Sequence, residues 1–181
     1  MKRSPTAATP LTVLAPVRPG EEAELTAALD RMPRGEQSPF ARLSSTHFAR
    51  WVVVGEPGAE FPGAPWPARR LRMRYLLFTS TFNGTVRDYL EELRVRLGPE
   101  ADGVWGHCVN YPGYHRAARF RRYLRHNSLP VHMWYPAYQA TVPEVRTALD
   151  LRNRHIAFAR YAQGRDDKEL LVAYVERFGS E

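Results

Sequence analysis

The strongest constraint on this chain is the order in which strand-like and helix-like runs follow one another. Leu11-Thr-Val-Leu-Ala-Pro-Val17 is a short apolar strand, broken by Pro19-Gly20. Glu21 and Glu22 then open a helix, where carboxylates suit the positive end of its dipole. Leu25, Ala28, Leu29 and Met32 recur on one face of it. After a loop through Gly35 and Pro39, Thr46-His-Phe-Ala-Arg-Trp-Val-Val-Val54 is rich in β-branched and aromatic residues and reads as a second strand. A Pro/Gly-rich loop from Gly55 to Pro67 leads to a third strand, Leu71 to Ser80. Thr85, with Asp88 three residues on, caps a helix whose apolar stripe is Leu90, Leu93 and Leu97. Val104-Trp-Gly-His-Cys-Val109 is expected as a short fourth strand.

That order is β-α-β followed by β-α-β, the split pattern of ferredoxin-like folds. The expected class is α+β: a ferredoxin-like βαββαβ unit over residues 10–112, after a loose tail at 1–9. Residues 113–181 are expected as a helical extension packed on that unit, within one domain overall. Tyr114 to His126 reads as a strongly basic helix and Val131 to Tyr135 as an extended run ending at Pro136. Thr141-Val-Pro-Glu144 is a capping box with proline in the first turn, launching a helix to about Ala162. Asp166-Asp-Lys-Glu169 is a second such box, for a last helix to Phe178.

With 44% hydrophobic and 25% charged residues the chain has a globular balance and can bury a core. A net charge of +7 admits nucleic acid, an anionic membrane surface or a small acidic ligand. Because arginines alternate with carboxylates, as in Glu91, Glu92, Arg94 and Arg96, nucleic acid is the less expected partner. The single cysteine, Cys108, excludes an internal disulfide and a cysteine-rich zinc site. Met1 to Pro10 has no apolar run of the secretory kind and no stretch is long enough to span a bilayer, so a cytoplasmic location is expected.

Strand alternation places His47, Ala49, Trp51 and Val53 on one face of the second strand, with Phe48, Arg50, Val52 and Val54 on the other. Neither set is uniformly apolar, so His47 or Arg50 must meet a polar environment or a cavity. A buried arginine needs an anionic partner, which a ligand can supply. In the fourth strand Trp105 and His107 share a face, and a histidine at a strand end beside a turn is well placed to be aimed into a cavity mouth. Cys108, on the opposite face from its neighbour, suits the core rather than a Cys–His pair. His115, Arg119 and Tyr123 follow at four-residue spacing on one face of the basic helix, suited to carboxylates or phosphates. Asn83, in the turn after the third strand, can present its amide to a pocket. Walker A, GxGxxG, HExxH and GxSxG patterns are absent.

The stretches Thr46-His-Phe-Ala-Arg50, Leu77-Phe-Thr-Ser-Thr-Phe-Asn-Gly84 and Trp105-Gly-His-Cys108, in the order strand, strand-turn, strand, resemble the ferredoxin-like α+β barrel superfamily. That group includes dye-decolourising peroxidases, chlorite dismutase-like proteins, aldoxime dehydratases and small monooxygenases. The resemblance implies a haem-dependent enzyme carrying out oxidative or dehydrating chemistry on a small acidic or nitrogen-containing metabolite. It places His107 as metal ligand of the haem, with His47 as second choice and His115 and His132 as further candidates. Arg50 and Asn83 would join His47 on the catalytic side, while Arg119, His115 and Trp105 would hold the cofactor. The chain departs from the peroxidases in having one ferredoxin-like unit and no Gly-x-x-Asp-Gly signature. Single units of this kind often pair sheet to sheet, so a homodimer is expected. Two alternatives remain: a cofactor-free enzyme of the same fold with a histidine base, or a basic nucleic-acid-binding module.

Overall fold

The computed structural model describes residues 8–55 and 73–179. It is an α+β protein whose order is β1 (Ala8–Pro16), α1 (Glu22–Asp30), β2 (Thr46–Val54), β3 (Tyr75–Asn83), α2 (Val86–Arg96), α3 (Gly98–Trp105), α4 (Ala117–His126), β4 (Ser128–Leu129), α5 (Val142–Ala162) and α6 (Asp167–Phe178). Two 3-10 turns, Gly35–Gln37 and Pro39–Arg42, link α1 to β2. The strands form one antiparallel sheet in the order β2-β3-β1-β4. Each pair of strands joined through helices is split by a third strand, which is the ferredoxin-like arrangement. The described chain clusters into two compact units, 1–142 and 143–181.

One face of the sheet carries the core. Leu11, Val13 and Ala15 of β1 alternate inward with Leu76, Phe78 and Phe82 of β3. Leu25 of α1, Tyr89, Leu90 and Leu93 of α2, and Phe120 and Leu124 of α4 close over them. Trp105 sits in the middle, fully buried, with ring centroids 5.4 Å from Phe78 and 5.5 Å from Trp51. Thr85 caps α2 by accepting from the Asp88 backbone N–H, and Leu90, Leu93 and Leu97 are buried as their spacing requires. One turn later Glu92 accepts bonds from the Ser44 N–H (2.6 Å) and the Ser45 hydroxyl (2.5 Å), fixing the entry to β2.

Several expected boundaries change. The expected fourth strand at 104–109 is mostly not strand: Gly98-Pro99-Glu100 starts α3, with proline in the first turn, and Ala101, Val104 and Trp105 bury at helical spacing. The regular fourth strand is Ser128–Leu129, beyond the expected limit of 112 and paired with Thr12 and Val13. Residues 107–109 nevertheless run beside the end of β1, through the Arg18 N–H to the His107 carbonyl, the Val109 N–H to the Pro16 carbonyl, and a single bridge between Val17 and Cys108. Trp105 and His107 therefore do not share a strand face. At the N-terminal end Ala8 and Thr9 already belong to β1, while residues 1–7 of the expected tail lie outside the described residues. So do 56–67 of the expected Pro/Gly loop and Leu71, where the third strand was expected to begin; β3 starts at Tyr75.

The basic helix begins at Ala117, because Gly113 (φ +82°) turns the chain and Asp102 accepts from the Tyr114 N–H. His115 precedes it and stacks on Tyr114, so it does not share a helical face with Arg119. Cys108 is in the core, as expected. In the second unit, Asp166 caps α6 by accepting from the Lys168 and Glu169 N–H groups, and Phe158 of α5 packs against Tyr174 and Phe178 of α6.

Candidate functional site

The side chains expected to form a site are spread over four places. His47 is the extra residue of a β-bulge: Thr46 pairs with Phe82 and Phe48 with Thr81, leaving His47 unmatched. The bulge separates it from the alternation that turns Ala49, Trp51 and Val53 to the core. It lines a pocket of about 190 Å³ with Phe48, Thr81 and the 136–138 segment. Its ring lies edge-on to Tyr138 (5.7 Å), and its Nε2 is buried without a hydrogen-bond partner among the described residues. Arg50 is exposed, its Nε donating to the Thr79 hydroxyl at 3.1 Å. Asn83 closes β3 and its Oδ1 accepts from the Val142 N–H at 3.0 Å.

His107 is held by α1: its Nδ1 lies 2.7 Å from Glu21 Oε2. Arg18 sits 3.4 Å from the other Glu21 oxygen and donates to the Gly106 carbonyl at 2.6 Å. The hydrogen bond with His107, aided by Arg18, lowers the Glu21 pKa below its ordinary value. Glu24 completes a group whose ligand atoms with those of Glu21 and His107 lie within 4.8 Å of one another, a mixed nitrogen and oxygen donor set of the type zinc accepts. Trp105 is sealed in the core, Arg119 is exposed on α4, and His115 is exposed before that helix.

The residues that the resemblance assigned to haem do not line one common cavity among those the described residues form. The cavities described here that exceed 400 Å³ include neither His107 nor Trp105 in their walls. The pocket against His47 is below the size range of drug-sized ligand sites, roughly 300–1,000 Å³. The groups assigned to the metal, the porphyrin face and the propionates do not surround one space.

A cleft that the sequence reading did not foresee has a volume of about 660 Å³ and lies along the β2 edge of the sheet. Met32, Phe40 and Trp51 form an apolar wall, with the Phe40 and Trp51 rings 4.4 Å apart. Arg34, Arg50 and Arg74 reach it from three different segments, and Asp30 lines it as well. Among the described residues none of these arginines has a carboxylate within ion-pair distance, and the buried Trp51 Nε1 has no acceptor. The Arg50 position was legible as a charge on a strand that should be buried. Arg34 and Phe40, in a loop with Pro33 and Pro39, carried no periodic signal.

Burial shapes the remaining titratable groups. It pushes the Cys108 thiol up to about 12 and the Tyr89 phenol, bonded to Ser80, also to about 12. Burial likewise raises Tyr111, whose hydroxyl donates to Asp102. No family model, curated protein or solved structure matches the chain.

Proposed function

We propose that the protein binds a small organic acid with a flat apolar body in the cleft along β2. The observation that carries this is the convergence of Arg34, Arg50 and Arg74, without carboxylate partners among the described residues, on a cleft walled by Phe40 and Trp51. Three exposed guanidinium groups against the one carboxylate of Asp30 leave the cleft with a net positive charge that favours an anion, and a planar guanidinium can meet a carboxylate with two parallel hydrogen bonds. The aromatic wall of Phe40 and Trp51 supplies apolar contact. No chemical step is assigned to the cleft.

Titration of the intrinsic tryptophan fluorescence with 1-naphthoate, and with neutral 1-naphthamide as control, tests the reading. The acid should bind saturably and the amide at least tenfold more weakly. Arg50→Ala and Arg34→Ala should each weaken the acid about tenfold or more, the value of one charge-assisted hydrogen bond of about 1.5–3 kcal/mol. Equal binding of acid and amide refutes the proposal.

A second reading rests on the unpartnered Nε2 of His47, which suits a base acting on a very small substrate in the sheet pocket. An NMR titration in which the His47 ring signals shift with added ligand, and shift no longer in Tyr138→Ala, supports it. Ring signals indifferent to every small acid and amine tried count against it.

A further inference from the structure

The N-terminal end and outer face of helix α4 carry positive charge where a helix is better served by negative or opposite charge. From Arg116 to His126 the sequence holds five arginines, one histidine and no carboxylate. Its N-cap is Arg116, which makes no capping bond, so positive charge sits at the positive end of the dipole. Arg116, Arg119 and Arg122 recur every three residues, and like charges at that spacing repel one another on a helix. On the other side of the helix Arg121 is neutralised by Glu91 at 2.6 Å, which also holds Arg94. No such partner meets Arg116, Arg119 or Arg122 among the described residues.

These three arginines and His126 line a groove of about 480 Å³ whose far wall is Asn110-Tyr111-Pro112. Asn110 in that wall has φ +59°, a left-handed conformation that asparagine adopts readily. Three arginines without carboxylate partners lining one groove form a local positive charge that an anion can offset.

We propose that this groove binds a small molecule carrying two or three adjacent phosphates. Cationic groups at 116, 119 and 122 span about 9 Å of helix axis at 1.5 Å per residue, long enough for several anionic groups in line and too many for one carboxylate. The uncapped backbone N–H groups at the start of α4 add the attraction that helix N-termini hold for phosphate. A volume near 480 Å³, walled on one side, has the dimensions of a small-ligand site. The site is separate in its residues from the cleft along β2, so either proposal can fail alone.

The test is calorimetric titration of the full chain at low salt with sodium tripolyphosphate, with inorganic phosphate, and with a single-stranded oligonucleotide. Tripolyphosphate should bind saturably at one site and at least tenfold more tightly than inorganic phosphate. Arg119→Ala and Arg122→Ala should each weaken it tenfold or more, while Arg165→Ala, far along the chain with its own Glu169 partner, leaves it unchanged. Because the arginines repel one another, both groove variants should melt no lower than the wild-type chain without ligand, which separates lost binding from lost folding. No saturable binding, equal weakening by Arg165→Ala, or tight binding of the oligonucleotide with none of tripolyphosphate overturns the proposal.

Discussion

The hydroxyl of Tyr89 offers a measurement of how β2, β3 and α2 are tied together at the point where His47 leaves the ladder. Tyr89 is 1% exposed, stacks on Phe82 with centroids 3.7 Å apart, and shares a 2.5 Å hydrogen bond with the buried Ser80 hydroxyl. Thr46, the residue before the bulge, donates to the same oxygen at 3.3 Å. Tyr89→Phe preserves the stack and leaves the Ser80 hydroxyl buried without that partner, at a cost of about 1–2 kcal/mol. Ser80→Ala leaves the phenol with the long Thr46 contact alone and should cost a similar amount, about 1–2 kcal/mol. In the double variant both unsatisfied groups are gone, so its loss should fall short of the sum by about 1 kcal/mol. Urea unfolding of the four proteins, followed by far-ultraviolet circular dichroism, reads these values directly. For a chain of this size each 1 kcal/mol also moves the melting temperature by about 2–4 °C. Losses that add within about 0.3 kcal/mol would show that the two hydroxyls are not coupled, and the junction would then rest on ring packing alone.

Two further outcomes follow from titratable groups. Cys108 is buried and its thiol is pushed up to about 12, so a disulfide reagent at pH 8 should react only as fast as the fold opens, and promptly once urea unfolds it; immediate reaction of the native protein contradicts its core placement. Glu21 has a folded pKa below its ordinary 4.5, so the stability it contributes is complete above about pH 4.5 and is lost as pH falls through the depressed folded value. Urea midpoints between pH 6 and pH 3 should therefore fall less steeply for Glu21→Gln than for the wild-type chain, and identical slopes would remove the Glu21–His107 hydrogen bond from the account.

The parts of the fold with a clean period were legible in the sequence. β1, β2 and α2 follow apolar spacing and caps that local chemistry alone dictates, and Thr85 and Asp166 cap where their side chains predict. The misreadings share a cause: short segments where two periods compete. Val104-Trp-Gly-His-Cys-Val109 has strand-forming residues, yet Gly98-Pro99-Glu100 upstream is a helix start, and packing of Ala101, Val104 and Trp105 on the core decides the matter. β4 is two residues long and too brief to leave a pattern. The bulge at His47 adds one residue that alternation does not reveal, so the pattern holds for Ala49, Trp51 and Val53 and fails at His47. For the same reason the cleft was half visible: Arg50 stood out on its strand, whereas Arg34 and Phe40 reach the cleft from a segment without regular spacing.

The insertion of α3 and α4 between α2 and β4 accounts for most of what departs from the bare split βαβ pattern. With three helices in the second crossover, the edge beside β1 is shared by residues 107–109 and by Ser128–Leu129. α4 must then turn one face, Phe120, Tyr123 and Leu124, into the core, where burial fixes the residue types. The fold makes no such demand on its outer face. A helix that only filled the crossover would gain from a carboxylate in its first turn and from opposite charges three or four residues apart, each worth a few tenths of a kcal/mol. α2 has both features, with Asp88 in its first turn and the Glu91–Arg94 pair at 2.5 Å. α4 has neither, although its packing onto the same core is just as complete. On the proposal above, an anion in the groove that Arg116, Arg119 and Arg122 line turns their mutual repulsion into attraction.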